Sequence, residues 1–259
     1  MSTKDKKMVY IYFGLAILVI LVIGLFRDSI FSSGDTGTIV ISHLDESSII
    51  FLDNQENGRI NKPRDNVSIK RIDSGFHSIL ISRDGYWPWL KEIEINSGET
   101  TKLFPFFVPQ NTNGFLIEKE DVEYDELINQ LNLVVAPSFE NKKISDDEKV
   151  AIWVDSNTLF NEWLGDEEER PEYYCNEFGC HNVLVSLGVG AGLRNADFYK
   201  NRNDIFIVSF SNGIFAIEAD VQNNQNFQPI FEGGSPEFVL NDENSIYILN
   251  GDTLMQVAI

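Results

Sequence analysis

Two short stretches of this 259-residue chain hold the residue types that could do chemistry. The first is Tyr173-Tyr174-Cys175-Asn176-Glu177-Phe178-Gly179-Cys180-His181, which contains the only two cysteines. Outside the cytoplasm, an even pair this close reads as a disulfide, and Gly179 lets the four intervening residues turn. Chain entropy gives so small a ring roughly 2 kcal/mol of stabilisation. The alternatives are a metal site built from Cys175, Cys180 and His181, or two plain thiols. Zinc wants four ligands, and no second Cys/His cluster stands elsewhere in the sequence. The second stretch is Tyr86-Trp87-Pro88-Trp89, directly after the turn sequence Arg83-Asp84-Gly85. Sugars and peptides stack on such rings, so Tyr86, Trp87 and Trp89 are candidate ligand-binding residues. In a strand, Trp87 and Trp89 face one way and Leu90 the other. The competing reading has these rings closing a core or burying against a neighbouring β unit.

The catalytic vocabulary is otherwise sparse. His43, His77 and His181 are the only histidines, and none stands in a zinc-helix motif. No nucleophile elbow, phosphate-cradling loop or dinucleotide fingerprint occurs. Gly188-Val189-Gly190-Ala191-Gly192 is glycine-rich but lacks the lysine and helix start that phosphate binding wants, and reads as a bend between strands. No catalytic residue, metal ligand or cofactor is assigned, and the chain is read as a non-enzyme. Carboxylates are so abundant that a glycan hydrolase or lyase acting through two of them is the alternative from another class.

These residues must be placed in a compartment and on elements. Met8 to Phe26 is a nineteen-residue run without charge, and thirteen of its residues are Val, Ile, Leu or Phe. As a helix it would reach roughly 28 Å, the thickness of a hydrocarbon core. Lys4, Lys6 and Lys7 precede it, which puts the amino end inside and the bulk outside the cytoplasm. A cleaved signal peptide is the rival, but its apolar stretch is usually shorter and followed by a small-residue cleavage site. The expected address is therefore the cell membrane, by a single pass.

The chain has 20 basic and 40 acidic side chains, a formal net charge of −20. Such a surface repels phosphates, which argues against nucleic acid and anionic head groups as partners. A solvated acidic face also explains Glu118, Glu120, Asp121, Glu123, Asp125 and Glu126 better than calcium does, because the alternating pattern of a calcium loop is missing.

Beyond a linker rich in Ser, Gly and Asp, β signals dominate. Strands are predicted at Ile39–Ile41, Ile49–Leu52, Val67–Ile69, His77–Ser82, Leu90–Ile95 and Thr101–Val108. In the fifth, Ile93 and Ile95 share one face while Lys91, Glu92 and Glu94 are expected in solvent. The residues Gly37-Thr38-Ile39-Val40-Ile41-Ser42, Ile49-Ile50-Phe51-Leu52-Asp53, Gly75-Phe76-His77, Gly85-Tyr86 and Ile93-Glu94-Ile95 before Ser97-Gly98 carry a resemblance. From Gly37 to Pro109 the chain resembles the PEGA domain family, small β-sandwich modules common in bacterial envelope proteins. The family's name-giving turn is replaced here by Leu44-Asp45-Glu46-Ser47. His77, at a strand start, is expected to bond a nearby turn.

Tyr124, Leu127, Ile128 and Leu131 recur at helical spacing, predicting one amphipathic helix over Glu120–Leu131, followed by a strand at Leu133–Ala136. From Lys149 on, strand-turn-strand units recur around Asn157, Asn212 and Asn244. Their style resembles predicted β-propeller proteins in which a membrane anchor and a PEGA domain precede the propeller. Trp153 and Trp163 fall within these strands and are assigned to the core. A closed ring needs about four or more blades, and this segment supplies two or three. It is therefore a fragment, an open β unit, or half of a homo-oligomer that completes the ring.

The fold class expected is all-β after an N-terminal transmembrane helix: a small PEGA-like β-sandwich, then a partial β-propeller-like antiparallel unit. The segments are 1–7 cytoplasmic tail, 8–26 transmembrane helix, 27–36 linker, 37–109 sandwich, 110–148 acidic linker with a short helix, and 149–259 propeller-like repeats. The function expected is a membrane-anchored, extracytoplasmic binding or scaffolding module contacting envelope protein or wall glycan. A sensing ectodomain that signals through a partner is a third reading.

Overall fold

The computed structural model describes residues 35–176, 178–187, 192–222, 224–242 and 244–259. The expected tail, transmembrane helix and most of the linker lie outside these residues, as does most of the Gly188–Gly192 bend. Among the described residues, no helix is long and apolar enough to cross a membrane. They divide into two compact units: 35–41 with Val67–Phe76 and Glu94–Leu103 form one, and Ser42–Asn66, His77–Ile93 and Phe104–Ile259 form the other.

Among the described residues the chain is all-β, as expected, with one α-helix. Seven strands come first: β1 (Thr36–Leu44), β2 (Ile49–Leu52), β3 (Gln55–Arg59), β4 (Arg64–Asp73), β5 (Gly75–Ser82), β6 (Trp89–Ile95) and β7 (Thr100–Leu103). They make a three-stranded sheet, β4-β1-β7, and a four-stranded sheet, β3-β2-β5-β6. In the first unit β1 runs parallel to β7, pairing Thr38 with Thr100 and Ile41 with Leu103. Gly37 is required there, because a Cβ would stand 2.6 Å from Ile95 and 2.7 Å from the Asn96 carbonyl.

β3 was not expected, since Gln55-Glu56-Asn57-Gly58-Arg59 lacks an apolar residue. It forms because Asp53 and Asn54 take positive φ, 50° and 64°, and fold the chain back on β2 as a hairpin. Conversely, β7 ends at Leu103 rather than Val108. Phe104 to Val108 leaves the ladder, and Phe106 and Val108 pack as buried side chains instead.

The second unit continues with β8 (Gly114–Leu116), α1 (Tyr124–Asn132), β9 (Lys143–Ile144), β10 (Val150–Asp155), β11 (Thr158–Trp163), β12 (Cys175–Asn176), β13 (Gly179–Cys180) and β14 (Val183–Leu187). Then come β15 (Asn195–Phe198), β16 (Ile205–Phe210), β17 (Gly213–Glu218), β18 (Phe227–Glu232), β19 (Glu237–Asp242), β20 (Ser245–Asn250) and β21 (Thr253–Ala258). Three antiparallel four-stranded sheets result, in the orders β9-β10-β11-β14, β15-β16-β17-β18 and β19-β20-β21-β8. Each begins a new meander at one edge. β8 is drawn from before the helix to pair with β21, Phe115 opposite Gln256.

The first two sheets share a core in which Val150, Ile152, Leu159 and Trp163 meet Phe198, Phe206, Val208 and Phe210. Trp153 is also buried. The helix begins at Tyr124, later than its periodicity suggests. Residues before it are tied in a turn, with Asp121 N–H donating to the Glu118 carbonyl and Glu118 N–H to the Asp121 carboxylate. Leu127 and Leu131 bury its apolar face against Val239, Tyr247 and Leu249 of the third sheet. Leu133–Ala136 is not a strand. Among the described residues, no neighbouring strand pairs with it, and Leu133 and Val135 are exposed.

Candidate functional site

Three places compete for a functional role, all in the second unit. The first is the aromatic stretch. Gly85 has φ 78°, which closes the turn before it. Tyr86 bridges to Pro109, and Trp87 N–H donates to the Val108 carbonyl at 2.9 Å. The Arg83 guanidinium lies 4.0 Å above the Tyr86 ring, covering one face of it. Tyr86 and Trp87 are half-buried. Trp89 is fully buried and donates its indole N–H to Glu218 at 2.5 Å. Of the three candidate rings, Trp89 is committed to the interior, and Tyr86 and Trp87 keep partial access.

Lys91 corrects the sequence expectation. It is 3 % exposed, not solvated. Its ammonium reaches Glu218 at 3.0 Å and Asp220 at 2.9 Å, and donates to the Asp220 carbonyl at 3.2 Å. The period of two along β6 places residue 91 on the face of Trp89 and Ile93, and the carboxylates make that position habitable for a charge. Glu218 is saturated: besides Trp89 and Lys91 it accepts from the Asn226 N–H and side-chain amide.

Asn226 and Gln228 point the same way along the chain into β18. The Asn226 amide accepts from Leu90 N–H and donates to the Leu90 carbonyl, both at 2.9 Å. Gln228 accepts from Val108 N–H and donates to the carbonyls of Pro88 and Phe106. Asn226 thus satisfies backbone groups on the open edge of β6, and Gln228 those of Pro88 and of the irregular segment at Phe106 and Val108. Arg202, paired with Asp204, caps the carbonyls of Phe104 and Pro105 in the same manner. Sequence reading missed these residues. The alternation of β6 was the one available signal, and it concerned Lys91 alone.

The second place is the cysteine hairpin. Cys175 and Cys180 are directly opposed on β12 and β13 and joined as a disulfide. The zinc and free-thiol alternatives therefore have no thiolates to work with. Gln222 holds the base of the hairpin through the Tyr173 and Cys175 carbonyls. The Tyr173 hydroxyl is buried, and burial pushes its pKa well up.

The third place was invisible in the sequence. β9, β15 and β19, the edge strands of the three sheets, converge on a cleft of about 340 Å³ with the tail of α1. Gln130, Asn141, Asn195, Lys142, Lys143 and Asp197 supply its polar side chains, and Val135 and Phe238 are among its apolar ones. Lys143 pairs with Asp197 at 2.8 Å, and the Asn195 amide donates to the Phe238 carbonyl at 3.1 Å. Among the described residues, Asp197 is the one carboxylate lining this cleft.

Elsewhere, His77 bonds Asp53 in the β2–β3 turn at 2.7 Å, the turn-bonding role expected of it. Among the described residues, no group of three or more His, Cys, Asp or Glu side chains could hold a metal ion.

Residues 36–111 match the family model of the PEGA domain. The resemblance read from Gly37 to Pro109 falls within this match. The matched segment therefore contributes Trp89 and Lys91, and their partners Glu218, Asp220 and Asn226 come from outside it. No curated protein matches the chain. Among solved structures, the AfRom2 CNH domain is similar at 10 % sequence identity over 78 % of this chain and 69 % of that chain, with a TM-score of 0.28.

Proposed function

We propose that the chain is a non-catalytic binding and scaffolding module of a cell envelope, tethered by a single span at 8–26 with its bulk outside the cytoplasm. The observation that carries the binding reading is the cleft between β9, β15 and β19. Its polar groups are amides, the closed Lys143–Asp197 pair and Lys142, itself paired with Glu162, which suit holding a group in place. Glycoside hydrolysis needs two carboxyl groups roughly 5–10 Å apart. This cleft offers one, already engaged by Lys143, so the arrangement favours binding over cleavage.

The scaffolding reading is supported by the Lys91–Glu218 network, which clamps the PEGA strand β6 to β17 and β18 with buried, saturated bonds. The PEGA match and the disulfide support an oxidising, extracytoplasmic setting. We read the three four-stranded sheets as a propeller-like array, tied at its end by β8. An envelope protein or wall glycan is the partner, with half-exposed Tyr86 and Trp87 as a second contact. A surface with net charge −20 disfavours nucleic acid.

A photoreactive residue placed at Val135, which is 77 % exposed and lines the cleft, tests this in intact cells. It should form adducts with an envelope protein or glycan that the same residue at Val122, away from the cleft and 99 % exposed, does not form. Equal yields at the two positions would overturn the assignment of the cleft.

A further inference from the structure

The cysteine hairpin adds nothing to a core. Among its described residues, Cys175 is half-buried, and Asn176, Phe178, Gly179 and Cys180 are exposed. Its base is nevertheless held from several sides. Tyr174 is buried, stacks on Tyr173 and donates its hydroxyl to the buried Asn161, whose amide donates to Ser186. His181 N–H donates to the Tyr174 carbonyl at 2.9 Å, which closes the hairpin where it began. Gln222 grips the Tyr173 and Cys175 carbonyls from the loop after β17.

The shape of the hairpin itself is fixed as well. The disulfide joins directly opposed residues. Phe178 N–H donates to the Asn176 side chain at 2.9 Å, and Gly179 takes φ 124°, which side-chain-bearing residues rarely adopt. A cross-link in an element that buries no side chain of its own does not serve packing. It limits the shapes the tip can take. That tip presents Phe178, 85 % exposed, the highest value for any phenylalanine among the described residues. A single exposed ring is ordinary on a protein surface. A ring on a braced hairpin differs, because the entropy cost of ordering it is met before any contact forms.

Charge indicates what it contacts. Glu172 is exposed just before the hairpin, and Glu177 adjoins Phe178 in the sequence. Both belong to a chain of net charge −20, so a second copy would bring like charge to the same place. We propose that Phe178 is a pre-organised anchor for another envelope protein, entering an apolar pocket rimmed by Lys or Arg. The inference shares the extracytoplasmic setting proposed above and uses none of the residues lining the cleft.

A photoreactive residue at His181, exposed beside the hairpin, tests this in the full chain in intact cells. It should form an adduct with a protein other than this chain, and mass spectrometry of the joined peptide should find apolar residues flanked by Lys or Arg. Phe178→Ser should lower the yield more than about tenfold. Cys175→Ser with Cys180→Ser should lower it by freeing the tip, and Glu177→Lys by reversing the charge. Val122→Ser should leave it unchanged. The inference is overturned by the lack of an adduct, by an adduct with a glycan or a second copy, by a yield indifferent to Phe178→Ser, or by a joined segment without basic residues. Phe178→Ser alters only an exposed side chain, so it decides the matter even if the double-Ser protein misfolds. The cleft is separable. If position 181 gives no adduct while position 135 keeps its own, the anchor alone fails; if position 135 gives none while position 181 behaves as stated, the cleft alone fails.

Discussion

Lys91 sits where a charge is costly, and only its two carboxylate partners make it tolerable. Removing Glu218 leaves the buried ammonium with Asp220 alone, so Glu218→Ala should lower stability by about 3 kcal/mol, read as a shift in urea midpoint. It also deprives the Trp89 indole and the Asn226 amide of their acceptor. The pair Lys91→Met with Glu218→Gln removes both charges while retaining an acceptor for Trp89, and should recover much of the loss. A Glu218→Ala protein within about 1 kcal/mol of wild type would contradict the role given to this network. Asp53 offers a pH test at the same scale. The His77 hydrogen bond, aided by Ser78 N–H, holds its carboxyl below the usual range. A carboxyl depressed in the folded state stabilises above its unfolded pKa and loses that contribution as pH falls through the folded one. The effect is small because Asp53 is half-exposed. Asp53→Asn should therefore flatten the fall of Tm below about pH 4 and leave neutral pH unchanged apart from a constant offset.

At the scale of elements, the hairpin of β12 and β13 has two-residue strands and depends on its cross-link. Cys175→Ser with Cys180→Ser should cost about 2 kcal/mol by the loop-entropy relation. Calorimetry of oxidised, reduced and double-Ser protein should place the last two together. A double-Ser protein as stable as the oxidised wild type would mean that Gln222 alone secures the hairpin. Elements were legible where burial and period agreed. β10, β11, β16, β17 and β20 read directly because alternating or continuous apolar residues end in Asn-centred turns. Elsewhere composition misleads. β3 has no apolar residue and exists through its turn, whereas Leu133–Ala136 has the composition of a strand and no backbone to pair with. Lys91 was misplaced for a related reason: charge suggests solvent, and its partners are more than 120 residues away along the chain.

For the whole molecule, the proposed topology makes the bulk of the chain reachable from outside the cell. Its two cysteines are bonded to each other, so a single new thiol can report exposure. Val122→Cys, at a position 99 % exposed, should react with a membrane-impermeant maleimide in intact cells as fully as after lysis. Labelling only after lysis would place the bulk inside.

By itself, the sequence determined what is local. The β-rich class follows from short apolar runs between turn residues, the family resemblance from the residues between Gly37 and Pro109, and the nearness of the two cysteines from a five-residue separation, though the disulfide itself is decided by the structure. Only the tertiary structure decided which side chains meet: Lys91 with Glu218, Asn226 with the edge of β6, and three edge strands around one cleft. The reason is physical. Period and turn propensity act over a few residues and leave a trace in any window of sequence. A buried ion pair or a cleft is created by residues whose approach depends on how every sheet between them packs.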